Sequence, residues 1–324
     1  MHYRALGKTG LSVSEIGYGG WGIGKSGWIG AEDEASLAAL HKAVDLGLNF
    51  IDTALAYGNG HSEQLIGQVV RSRNERIYVA TKVPPKNRIL PIPPGTPLSE
   101  AFPHDYIIEC AEQSLRNLGI DTIDILQFHG WTDEWVNQSE WLDALQHLKR
   151  QGKIRYFGIS INDHQPWNAL HLIETGVLDT VQVIYNIFDQ SPEDQLFPAC
   201  HQHNIGVIVR APLDEGGLTG KITPESTFDE NDFRTRYFRG DRKQEVYTRV
   251  QRIAADLGIP LDALPEMALR YILSNPAVST AIPGMRSISN VERNVAVSDG
   301  RTLSPEQLQK LKAHRWVRDF YKKE

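Results

Sequence analysis

The chain has 324 residues, 41% of them hydrophobic and 23% charged, with a net charge of −6 and a pI of about 6.0. That balance is globular, and its mild acidity excludes nucleic acid as the main partner, because phosphate binding draws on an excess of clustered Lys and Arg. The opening MHYRALGKTG lacks the apolar core of a secretory signal, and no apolar run approaches the ~20 residues that span a bilayer, so a cytoplasmic protein without a membrane partner is expected.

From the N-terminus, YRALGKTGLSVSEIG offers two short extended stretches around Gly7-Lys8-Thr9-Gly10, a hairpin signal. Beyond it, short runs rich in Ile, Val, Phe and Tyr alternate with longer segments of helical period. The runs predict strands at Ile16–Gly20, Asn49–Thr53, Tyr78–Val83, Ile123–His129, Tyr156–Ser160, Val181–Asn186, Gly206–Ala211 and Ser279–Pro283. Helices are expected over Asp33–Leu46, stopped by Gly47, and His104–Leu118, stopped by Gly119. Further helices fit Trp135–Arg150, Gln165–Thr175, Pro192–His203, Asp241–Leu257, Leu261–Leu273 and Ile288–Val297, with a last one from Pro305 to about Phe320.

Apolar strands separated by helices imply a parallel sheet covered by helices. Eight of them predict a closed (β/α)8 TIM barrel behind the N-terminal β-hairpin, one domain over residues 1–324. An open doubly wound sheet is the alternative, but GYGGWGIG matches the dinucleotide fingerprint only loosely. Two long segments break the alternation. Residues 84–103 carry seven prolines and read as an irregular loop, and residues 213–240 are Gly- and Asp-rich, then basic. Both follow strand ends, on the face where such barrels place their chemistry.

Cys110 and Cys200 fall in helical segments without motif spacing, and read as buried hydrophobes rather than as a disulfide or reactive thiols. His201 and His203 are spaced i, i+2 and point to different helix faces, so no metal is expected.

At the strand ends lie four titratable residues. The run FIDTALAYGNG delivers Asp52 at the end of the second predicted strand and Tyr57 on the turn after it; Lys82 ends the third, and His129 the fourth. Each has an ordinary reading alone: a cap, a packing ring, a solvent-facing lysine, a core histidine. Buried together, they must satisfy one another. A free tyrosine, with a pKa of ~10, is a poor acid at neutral pH. A nearby Lys82 ammonium is expected to lower that value, Asp52 to hold the ammonium, and His129 to meet a substrate oxygen or share its proton.

FIDTALAYGNGHSEQLIG resembles the signature segment of the aldo-keto reductase family, followed in order by the TK of VATKVPP and by ILQFH. The likeness runs from LGKTGLSVS to IPGMRSISNVERN. It implies a (β/α)8 barrel that binds NADPH, with NADH the lesser alternative, and reduces a small-molecule carbonyl substrate. Tyr57 then falls on the general acid, and Asp52, Lys82 and His129 on its supporting positions.

The resemblance also implies a cofactor cradle. Ser160 and Gln182 match residues that meet the nicotinamide amide, and Gly20 and Trp21 lie on the loop after the first strand. The family's asparagine after Ser160 is Ile161 here, with Asn162 one further on. Pro212 to Gly220 matches the loop along the pyrophosphate, bringing Ala211, Pro212, Leu213, Gly217, Leu218 and Lys221. Arg210 stands where an aromatic residue is common, as a guanidinium able to stack on a ring. Pro283, Gly284, Met285, Arg286, Asn290 and Asn294 match the adenosine end, and Arg286 favours a 2′-phosphate.

Trp21 and Trp131 are expected as an apolar substrate mouth or, equally, as rim packing. A monomer or weak homo-oligomer is expected. Two other readings stay open: a nucleotide-binding regulatory subunit with little turnover, like channel-associated relatives of that family, and a lyase using Lys82 as a Schiff base.

Overall fold

The computed structural model describes residues 1–317, 319 and 321. Tyr3–Ala5 (β1) and Ser12–Ser14 (β2) pair antiparallel, with Tyr3 opposite Ser14 and a 3-10 turn at Gly7–Thr9 between them. Eight parallel strands follow: Tyr18–Gly19 (β3), Phe50–Asp52 (β4), Tyr78–Val83 (β5), Ile123–His129 (β6), Ile154–Ser160 (β7), Thr180–Ile184 (β8), Gly206–Arg210 (β9) and Thr280–Ala281 (β10). Each lies beside the next in chain order. The ring closes between its ends, where the N–H of Gly17 donates to Ala281 O at 2.8 Å and that of Gly19 to Pro283 O at 3.1 Å. This is the expected barrel.

The hairpin floors it. Leu6 and Val13 are buried with Phe50, Ala80, Ile125 and Ile208 in one cluster at the N-terminal ends of the strands. With that face stoppered, the opposite rim is the one left to hold a ligand.

The helices are Asp33–Asp45 (α1), His61–Ser72 (α2), Leu98–Ala101 (α3), His104–Leu118 (α4), Glu140–Arg150 (α5), Leu170–Glu174 (α6), Leu196–Gln202 (α7), Phe233–Tyr237 (α8), Arg242–Leu257 (α9), Leu264–Leu273 (α10), Ile288–Ala296 (α11) and Pro305–Lys312 (α12). Most differences from expectation are at helix starts. The segments beginning at 135, 192 and 261 begin with 3-10 turns, and residues 165–169 form turns around Asn162 and Gln165 before α6 starts. The last helix stops at Lys312, well before Phe320, which lies outside the described residues.

Helix α2 was not expected at all. Its apolar residues Leu65, Ile66 and Val69 hold the helical spacing and are buried, but the glycines and polar residues around them weaken that pattern. Within the two loops that break the alternation, α3 and α8 add short turns of helix. Cys110 and Cys200 are buried, and burial pushes their thiols up to about 11 and about 12, consistent with inert packing.

Candidate functional site

Strand register sets the heights of the polar groups. Asp52 closes β4, Lys82 pairs with Gln127 across β5 and β6, His129 pairs with Ser160 across β6 and β7, and Ser160 pairs with Gln182 across β7 and β8. Parallel pairing therefore carries one ring of polar side chains around the rim.

Lys82 is the centre of the ring and has no exposed surface. Its Nζ donates to Asp52 Oδ2 at 2.6 Å, to Thr53 O at 2.7 Å and to Tyr57 Oη at 3.4 Å. Three donors meet three acceptors, which is what lets a buried ammonium persist. Asp52 is fixed in turn, its Oδ1 accepting from Gln182 Nε2 at 2.6 Å and Gln127 Nε2 at 3.1 Å.

Gln127 escaped the sequence reading. Its signal was a lone amide inside the otherwise apolar ILQFH, at a position where a strand side chain has no water to use.

Tyr57 stands over this pair. The loop that carries it is held by Gly58 N–H donating to Ser26 Oγ at 2.8 Å and by Ser62 N–H donating to Tyr57 O at 3.2 Å. Gly58 adopts φ +64°, and a Cβ there would lie 1.9 Å from Gly24 O, so only glycine lets the two loops touch. The Tyr57 ring lies 5.9 Å from the His129 ring, edge to face, and 6.2 Å from Trp21, stacked.

The acidity of Tyr57 corrects the sequence expectation. Burial raises its pKa above that of a free tyrosine, and Lys82 offsets this only in part, with Asp52 working against it. The ammonium is near, as expected, but its charge is largely matched by Asp52. His129 is pushed down to about 3 by burial, then by Lys82 and Arg210, so the imidazole is neutral at neutral pH. It has no ionic proton to share.

From Tyr57 a cavity of about 1010 Å³ extends across the rim. Gly20, Trp21, Ser160 and Gln182 line it, as do Arg210, Ala211, Pro212, Leu213 and Lys221 after β9 and Pro283, Gly284, Arg286, Asn290 and Asn294 after β10.

Besides Lys82, which is buried beneath the rim, four residues named from the sequence do not line the cavity. Trp131 is fully buried in a ring cluster with Phe128, Trp135 and Trp141 at 5.2–6.3 Å, its Nε1 donating to Asp133 Oδ1, so it is core rather than mouth. Met285 and Leu218 are likewise buried behind the wall. At Gly217 the Asp214 carboxylate packs so closely that a Cβ would sit 2.4 Å from its Oδ2. Asn162 does reach the cavity, but its amide exchanges two hydrogen bonds with the Ile92 backbone, tying the proline-rich loop down.

The basic loop after β9 and the loop after β3 add further walls to the cavity. Phe233 packs on Trp21 at 5.0 Å and its N–H donates to Gly27 O at 2.6 Å. Arg234 lies 4.5 Å over Trp28, and Arg286 lies 5.6 Å from the same ring while donating to Ile29 O. Burial and then Arg234 pull Arg286 below the usual arginine range. Arg293 also lines the cavity, braced on Asn290 at 2.8 Å. Glu215 lines the wall with φ +52°, and burial and then Asp214 push its carboxyl up to about 8.

The chain belongs to the Aldo/keto reductase family, whose profile matches residues 15–315. It is similar to the uncharacterized oxidoreductase YqkF of Bacillus subtilis, 30% identical with 99% of each chain covered. It is also similar to the NADH-specific methylglyoxal reductase of Escherichia coli, 29% identical over 90% of this chain and 91% of that one. Among solved structures, the holo form of aldo-keto reductase AKR11C1 from Bacillus halodurans matches with a TM-score of 0.77 and 28% identity, covering 99% of this chain and all of that one. An aldo/keto reductase from Klebsiella pneumoniae in complex with NADP and acetate matches with a TM-score of 0.70 and 26% identity, with 98% of each chain covered.

Members of this family use a nicotinamide dinucleotide, and the residues here fit one. Gln182 Oε1 is buried at the cavity wall without a hydrogen-bond partner among the described residues, an acceptor suited to a carboxamide N–H. Arg234, Arg286 and Arg293, which line the same cavity, suit phosphate.

Proposed function

We propose that the protein is an NADP-dependent carbonyl reductase of small aldehydes, ketones or sugars, with Tyr57 as general acid. The observation that carries this is the Lys82–Tyr57 contact: an ammonium locked by Asp52 and Thr53 reaches the phenol oxygen at 3.4 Å, in a cavity that Arg234, Arg286 and Arg293 also line.

Ser160 and Gln182 would hold the nicotinamide amide, Asn294 the adenine and Arg286 the 2′-phosphate. When bound, the reduced dinucleotide supplies a hydride for the carbonyl carbon. The residues of the chain then manage the oxygen. Tyr57 donates its proton to it, and the phenolate left behind faces the Lys82 ammonium. Asp52 keeps that ammonium charged and aimed, and Gln127 and Gln182 keep Asp52 aimed. Neutral His129, with Nδ1 buried and unpartnered, has Nε2 available as the donor to the substrate oxygen. Trp21 and Phe233 keep water from the reacting carbon.

NADP is favoured over NAD because three guanidinium groups at Arg234, Arg286 and Arg293 line the same cavity. The complex of the Klebsiella relative with NADP supports that choice.

The test is consumption of NADPH with 4-nitrobenzaldehyde and a panel of aldehydes, ketones and sugars. Tyr57→Phe should abolish consumption while changing the NADPH dissociation constant less than about twofold. A folded protein that binds NADPH and consumes none with any carbonyl would defeat this reading and favour the regulatory alternative.

A further inference from the structure

Arg210 ends β9 in the cavity wall and is held from one side by a chain of contacts. Its Nη2 donates to Ile161 O at 2.9 Å and to Asp163 Oδ1 at 2.5 Å. The other carboxylate oxygen of Asp163 accepts a hydrogen bond from Tyr321 Oη at 2.7 Å. The two oxygens of one carboxylate thus join a strand-end guanidinium to a phenol that follows α12. Arg210 and Asp163 keep only 22% and 18% of their side-chain surface exposed, so water screens the pair less than it would at the open surface.

Tyr321 lies outside the stretch that matches the family profile, residues 15–315, yet it lines the same cavity as Tyr57. Trp316, also outside it, anchors the approach: its N–H donates to Phe188 O at 2.8 Å, its ring lies 5.3 Å from Phe188, and Arg249 and Arg242 lie over it at 4.1 and 5.0 Å. Arg236 lies 5.6 Å from the Tyr321 ring. The segment after α12 is therefore docked at two points, and its second point bears on a cation of the site.

We propose that Asp163 and Tyr321 are positioning residues that lock the Arg210 guanidinium in the cavity wall, so that a residue beyond the stretch matching the family profile completes the reaction site. The physical reason is conformational. An arginine side chain has much rotamer freedom to lose, and a bridging carboxylate already held by a phenol removes that freedom before any ligand arrives. Arg210 is then pre-set against bound dinucleotide and the neighbouring Tyr57 and His129. The inference rests on the reductase reading.

A double-mutant cycle tests it, using the full chain, Tyr321→Phe, Arg210→Met and the double variant. Each is measured for the NADPH dissociation constant, by quenching of intrinsic tryptophan fluorescence, and for kcat/KM with 4-nitrobenzaldehyde. Tyr321→Phe keeps the ring and its packing and loses only the hydroxyl. Beside native Arg210 it should weaken NADPH binding and lower kcat/KM by about three- to tenfold, and in the Arg210→Met background by less than about twofold, because its route of action is gone. Asp163→Asn should show the same dependence on Arg210.

Two results overturn the proposal: no effect of Tyr321→Phe beside native Arg210, or an equal loss in both backgrounds. A wild-type protein that binds NADPH but consumes none defeats the reductase reading alone, and the cycle is then decided by the dissociation constants.

Discussion

Tyr57 shows how proximity and charge can pull in different directions. Its hydroxyl touches an ammonium, yet burial and the Asp52 carboxylate leave it a weaker acid than free tyrosine. The basic limb of kcat/KM should therefore lie above the ~10 of a free phenol. Lys82→Met removes the one large lowering influence, so it should move that limb higher still and cut turnover by about 10²–10⁴-fold; a limb that moves down would contradict this electrostatic picture. Glu215 offers a second pH test. Its folded pKa, about 8, lies above its ordinary value of 4.5, so the folded state holds a proton that the unfolded state releases. Stability from this group is full below about pH 4.5 and is lost as pH rises toward about 8. Glu215→Gln should flatten the fall in thermal midpoint across that window, and an unchanged slope would show that Glu215 is better solvated than its place in the wall implies.

Among the elements, α2 decides how the signature segment is used. It packs directly on α4, where a Cβ at Gly67 would lie 2.3 Å from Leu118 O. Gly67→Ala should cost about 1–3 kcal/mol, measured by urea unfolding, because backbone on both sides leaves no flexible side chain to yield. The same helix carries Glu63 inward, where it accepts from Thr81 Oγ1 at 2.6 Å and Asn117 Nδ2 at 2.7 Å. A buried carboxylate next to the strand of Lys82 thus belongs to the scaffold under the site. The glycine needed for close helix contact is the residue that weakens the helical pattern, and for that reason α2 was hidden in the sequence.

For the whole molecule, two rim loops that line the cavity are joined by Phe233, on Trp21 and Gly27, and by the buried carboxylate of Asp232. Asp232 caps α8, takes two hydrogen bonds from the Arg234 side chain, and accepts from Ile29 N–H at 3.3 Å across the cavity. Asp232→Ala should open residues 221–240 to protease and speed NADPH release by about tenfold, read by limited digestion and stopped-flow fluorescence. Unchanged digestion would show that Phe233 on Trp21 holds the loops without it.

The order of the strands, most of the longer helices, the barrel class and the four polar residues on the rim were legible in the sequence, because each depends on local period and on polar residues interrupting apolar runs. The partners of those residues were not. Gln127 and Gln182 converge on Asp52 from strands 75 and 130 positions away, and Tyr321 reaches Asp163 across 158. Trp131 and Trp21 are the same residue type in similar rim loops, and only packing sends one into the core and the other to the cavity. Sequence alone determined which groups stand on the rim; the closing of the ring decided their neighbours. Acidity followed from those neighbours, since desolvation and paired charge are properties of the assembled site and not of any segment of chain.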